Sequence, residues 1–163
     1  MITPRADSGA LSPQRAAAAD LPTGVTNGYP PFDTEEIDAS SLGGGRYRID
    51  GIPVFVFGLA KGDIVKVVAT RDDDRRWVSE VLEPSGHLTA RVIPWDADAL
   101  RDVAARFSSL GCFAHATPYS VVAVDVPPAV PTERVMEALK KGRATGEWDF
   151  DMGVAPAISE RPN

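Results

Sequence analysis

Cysteine is nearly missing from this 163-residue sequence, where Cys112 stands alone. An internal disulfide and a thiolate zinc cluster are thereby excluded, and a reducing compartment suits the chain. Histidine is almost as scarce, with only His87 and His115, so a metal site would have to be built from carboxylates. The densest run of these, Asp72-Asp73-Asp74, is bounded by Arg71, Arg75 and Arg76 and reads as a self-neutralised turn rather than a calcium loop. No metal and no cofactor is expected. Positive charge is in deficit too: 17 Lys and Arg against 23 Asp and Glu leave a net charge of −6. That balance argues against binding nucleic acid or an anionic membrane, because a phosphate surface requires a basic footprint.

No apolar run approaches the roughly 20 residues that span a bilayer. Residues Met1 to Asp20 hold no apolar segment of the secretory kind, and the expected location is the cytoplasm. A phosphate-cradling loop is also lacking, since Gly43-Gly44-Gly45 precedes a strand pattern and not a helix.

What is present divides the chain into stretches of different rhythm. Residues 1–32 are rich in Ala, Pro, Gly, Ser and Asp without a sustained period, which predicts a disordered leader in which Ala16 to Ala19 form at most a transient, undocked helix. Thr34 to Ile37 suggest a short turn and Gly43 to Gly45 a flexible joint. Between 43 and 83 the pattern is β. Tyr47 and Ile49 alternate within Arg46 to Asp50, and Asp50-Gly51 signals a hairpin turn. Ile52 to Leu59 is almost wholly apolar, as in a strand covered on both sides. Ile64 to Thr70 and Arg76 to Glu83 complete four short strands, predicting a small antiparallel sheet or partly closed barrel.

From Gly86 the rhythm changes. A strand over 87–94 leads into a helix whose Leu100, Val103, Ala104, Phe107 and Leu110 form one stripe, with Gly111 as its stop. Strands over 112–117 and 119–126 follow. Pro131 opens a second helix with Val135, Ala138 and Leu139 facing inward and Gly142 ending it, and Glu147 to Phe150 supply a last strand. The order βαββαβ predicts a ferredoxin-like unit over 85–151, with a disordered tail over 154–163. The fold class expected is α+β, a small antiparallel β unit followed by a ferredoxin-like unit.

The candidate contacts lie at the start of that second unit. Period-two alternation puts His87, Thr89 and Arg91 on one face of the strand and Leu88, Ala90 and Val92 on the other. Same-face neighbours lie ~6.6 Å apart, so with Ser85 they form a row of donors between which a phosphate or carboxylate fits. A solvated strand face, or a Ser-Gly-His turn chosen for its backbone, produces the same letters. Catalysis of the Ser–His kind needs an orienting carboxylate that the sequence does not locate. Cys112 and His115, three apart on a strand, point to opposite faces. A Cys112–His87 pair stays open, beside the plainer reading of Cys112 as a small buried hydrophobe.

Arg46-Tyr-Arg-Ile-Asp-Gly-Ile-Pro-Val54, Gly62-Asp-Ile-Val65 and Ser85-Gly-His-Leu-Thr-Ala-Arg91 resemble a bacterial family of small proteins known as a domain of unknown function. Its members are similar in carrying a Tyr-x-Ile-x-Asn-Ile-Pro-Phe strand, a Gly-Asp-x-Val turn and a Ser-Gly-His-x-Thr-x-Arg strand. The resemblance covers about residues 42 to 151. It implies no settled activity, but directs attention to Asp63, His87, Thr89 and Arg91.

Acidity, small size, edge strands open to pairing and few catalytic groups lead to one expectation: a non-catalytic cytoplasmic protein-binding module, of the kind that neutralises a basic toxin-like partner as bacterial immunity proteins do. The alternative is a small-anion or small-ligand binding protein or enzyme using the His87, Thr89 and Arg91 face.

Overall fold

The computed structural model describes residues 14–18, 34–71 and 75–156. Five strands close into a barrel in the order β1 (Gln14–Ala18), β2 (Glu35–Gly43), β3 (Arg46–Ile49), β4 (Ile64–Ala69) and β5 (Arg76–Glu83). Neighbours are antiparallel except at the closure, where β1 runs parallel to β5. Ile37, Ala39, Tyr47, Ile49, Val56, Leu59, Val65, Val67 and Val78 fill the interior. Closure satisfies the main chain that an open four-stranded ribbon would leave on its edges.

Several expectations change here. The leader is corrected over Gln14–Ala18, which form β1 and pair on both sides instead of remaining unstructured. The rest of 1–32, like Asp72–Asp74 and the tail beyond 156, lies outside the described residues. Thr34 to Ile37 do not make a turn. Residues 35–43 are a strand because Ile37 and Ala39 are buried between polar Glu36 and Asp38, a one-sided alternation hidden in an acidic stretch. Gly43, Gly44 and Gly45 are no loose joint: they make the turn between β2 and β3, with φ of 86°, 62° and 77°, a run that only glycine adopts without strain.

Ile52 to Leu59 is not a strand either. The Glu35 carboxylate accepts the amides of Val54, Phe55 and Val56 at 2.7, 2.9 and 3.0 Å, donors that a ladder would otherwise use. Asp50 and Gly51 give their amides to the Asp38 carbonyl and so launch this irregular loop rather than a hairpin.

The second unit runs β6 (Leu88–Pro94), α1 (Leu100–Ser109), β7 (Phe113–Ala116), β8 (Val122–Val126), α2 (Thr132–Ala144) and β9 (Trp148–Val154). Its strands form an antiparallel sheet in the order β7-β8-β6-β9. The predicted helical stripe is in place, with Val103, Ala104 and Phe107 buried in α1 and Val135 and Leu139 in α2. These pack with Ala90, Val92, Val122, Val124, Val126 and Trp148 in one core. Asp96 accepts the Asp98 amide at 2.9 Å in the turn before α1.

The chain is thus α+β. The helices cover one face of the second sheet. The other face carries Thr89 and Arg91 of β6 and Asp125 of β8, all buried, and the barrel loop at 52–63 approaches it: Gly58 donates its amide to the Gly153 carbonyl at 2.9 Å. Among the described residues no helix is long and apolar enough to cross a membrane.

Candidate functional site

The strand pattern in β6 sends Ala90 and Val92 toward the helices and so commits His87, Thr89 and Arg91 to the opposite side, where the barrel loop lies. The row is therefore a seam, and most of its polar atoms have partners within the chain.

Asp63 closes the seam from the barrel side. Its carboxylate accepts the Ala60 amide at 2.9 Å through one oxygen and the Ser85 amide at 2.7 Å through the other. The Ser85 hydroxyl donates to the Lys61 carbonyl at 2.7 Å and accepts the His87 amide at 3.2 Å. Gly62, with φ of 85°, packs so tightly here that a Cβ would lie 3.0 Å from the Ser85 Cβ and 3.6 Å from the His87 ring. Arg91 forms a two-pronged pair with Asp151 of β9 and stacks 4.4 Å above the Phe57 ring from the barrel loop. A planar guanidinium suits both contacts at once.

His87 has the carboxylate that the sequence left unlocated. Nδ1 lies 2.8 and 3.0 Å from the two oxygens of Asp125, whose side chain is fully buried on β8. The arrangement fits a ring that donates from Nδ1 and turns Nε2 away. It stops short of a Ser–His–Asp relay, because the Ser85 hydroxyl is committed to Lys61. Cys112 sits in the core with the helices. Burial, and secondarily the charge of Asp125, push its thiol up to about 11, so the sulfur stays protonated and a poor nucleophile. His115 lines a groove on the far side with Thr117 and Tyr119; the structure does not bring it to Cys112. Among the described residues no three His, Cys, Asp or Glu side chains cluster as a metal site.

Burial raises the Asp125 carboxyl above the ordinary carboxylate range, against the opposing hydrogen bond and charge of His87 and the charge of Lys61. The folded chain therefore holds this proton more tightly than the unfolded chain. Asp125's contribution to stability is complete below the ordinary value of about 3.9 and is lost as pH rises through its higher folded value. Compared with Asp125→Asn, the parent chain is expected to lose stability as pH climbs from about 4 through that window, read as urea midpoints at stepped pH. A difference that does not vary with pH would contradict this.

Sequence reasoning missed Asp125, Asp151, Lys61 and Phe57. Asp125 had a visible signal, a lone acid inside the apolar run Val121 to Val126. Asp151 and Phe57 had none, since both reach the row only through tertiary packing.

The family model described as a domain of unknown function (DUF4265) matches residues 35–150, from the first residue of β2 to the third residue of β9. This chain belongs to that family. The match takes in β2 to β8, both helices and most of the seam just described, ending one residue short of Asp151. A solved structure titled "Novel crystal structure of a hypothetical protein from Neisseria gonorrhoeae" is similar at 18% identity and a TM-score of 0.65, covering 89% of this chain and 95% of that one. At that identity the likeness concerns the fold alone. No curated protein matches.

Proposed function

We propose that this member of the family is a non-catalytic protein-binding module, an immunity-type neutraliser of a toxin-like partner. The observation that carries the reading is the outer strand β7, which pairs on one side with β8 and leaves Phe113 and Tyr119 54% and 47% exposed beside it. Support also comes from the seam, where Asp63, Ser85, His87 and Arg91 are all engaged internally. A net charge of −6 favours encounter with a basic partner. The reading includes a ferredoxin-like second unit, supported by the βαββαβ order and the sheet order β7-β8-β6-β9, and a cytoplasmic setting, in keeping with the free thiol of Cys112.

The test is a photo-reactive amino acid at position 119 of the full chain, in the cells that make it. One protein is expected to cross-link, to arrest growth when produced alone, and to be harmless when this chain is co-produced. Absence of any cross-linked protein, or a partner harmless by itself, overturns the proposal.

The second reading, a small-ligand site or enzyme on the His87, Thr89 and Arg91 face, has two observations in its favour: Asp125 orients His87, and the buried Thr89 hydroxyl has no hydrogen-bond partner among the described residues. Thr89→Val separates the readings. A hydroxyl buried without a partner costs about 1–3 kcal/mol, so under the protein-binding proposal the valine chain is expected to be more stable by about 1 kcal/mol in urea titrations. Destabilisation of similar size would favour a water or ligand held at that hydroxyl.

A further inference from the structure

The two outer strands of the second sheet are finished differently. On the β9 side the barrel loop bonds Gly58 to Gly153, and Arg143 reaches the Phe150 carbonyl. β7 is covered less: Lys61 lies 4.3 Å over the Phe113 ring, but among the described residues the main chain of 113–116 bonds to β8 and to no other segment. An uncovered edge is a template for another strand, and proteins commonly blunt one with lysine, proline or a bulge. Phe113-Ala-His-Ala116 has no lysine or proline, and its pairing with β8 runs without a bulge.

Next to this edge lies a groove of about 530 Å³ lined in part by Glu35, Phe55, His115 and Tyr119, with no lysine or arginine among its described lining residues. The Glu35 carboxylate is held by three uncharged amides, which fix its place without cancelling its charge. Phe55 and Tyr119 meet edge to face, with ring centroids 5.4 Å apart. A carboxylate beside aromatic rings attracts a cation.

Resting on the protein-binding reading, we infer that β7 accepts an extended cationic segment of the partner as a fifth strand, with a lysine or arginine side chain entering the groove near Glu35 and Tyr119. Main-chain hydrogen bonds would supply affinity along the edge, and the groove would supply selection by charge.

The probes are three labelled nine-residue peptides titrated against the full chain by fluorescence anisotropy. One alternates Lys and Val, the second is the same with alternate amides N-methylated, and the third has Glu for Lys. The Lys–Val peptide is expected to bind at least about tenfold more tightly than either control, to slow amide exchange at 113–116, and to weaken several-fold on Tyr119→Ala. Equal binding of the methylated peptide overturns strand pairing, and equal binding of the Glu peptide overturns selection for a cation. Self-association that competes with the peptide would assign the edge to a second copy of the chain instead. If the Lys–Val peptide fails while position 119 still cross-links a growth-arresting protein, strand addition falls and the protein-binding reading stands; if both fail, both fall.

Discussion

Asp63→Ala is expected to lower stability by about 2–6 kcal/mol, because it strands two amides that the fold has taken away from water, at roughly 1–3 kcal/mol each. Asp63 is only 4% exposed, and its two oxygens serve separate donors, Ala60 within its own turn and Ser85 across the seam. This separation makes Asp63→Asn informative. The amide oxygen retains one acceptor while the NH2 group faces the other N–H, so about half the loss is expected. Urea denaturation of both variants checks the order. Were Asp63 a contact for a partner or ligand, alanine would leave stability within about 0.5 kcal/mol and cost binding instead.

Gly142→Ala is expected to be worse than its chemistry suggests. In an exposed helix interior the same change would stabilise by about 1 kcal/mol. Here a methyl group at position 142 would fall inside the Trp148 indole, which is 1% exposed and donates from Nε1 to the Leu139 carbonyl at 3.1 Å. Either the ring leaves the core or α2 lifts from β9, and the net loss should approach that of deleting a buried aromatic, about 3–5 kcal/mol. A smaller side chain at 148 removes the clash, so Gly142→Ala combined with Trp148→Leu should cost less than the sum of the two single changes. Additive losses in a thermal or urea series would show that the ring is not what excludes a side chain at 142.

Gly142 also shows what the sequence revealed and what it hid. As a helix stop it is misread: α2 runs through it to Ala144, and the left-handed glycine after the helix is Gly146, with φ of 75°. The reason for a glycine at 142, the indole lying against it, depends on a strand six residues on. The same division runs through the chain. Period 3.6 marked the buried stripes of α1 and α2, and period 2 marked β3 and the two faces of β6, because each is a local consequence of one covered face. The barrel was misjudged where distant groups override local preference: Glu35 captures the amides of 54–56 and turns an apolar run into a loop, and β1 is a strand only because β2 and β5 flank it. In the candidate site, alternation correctly grouped His87, Thr89 and Arg91. It could not say whether that face meets solvent or protein, and the barrel loop decides the matter.

The polar row of β6 joins barrel to sheet, so the two units are expected to stand or fall together. Native-state amide exchange tests it most directly at Gly58, Ala60 and Ser85, whose N–H groups cross or brace the seam. They are expected to exchange only by the global opening that also releases the amides of β8. Rapid exchange at these three positions while β8 remains protected would mean that the units part freely, exposing His87, Thr89 and Arg91, and that the seam does not hold them together.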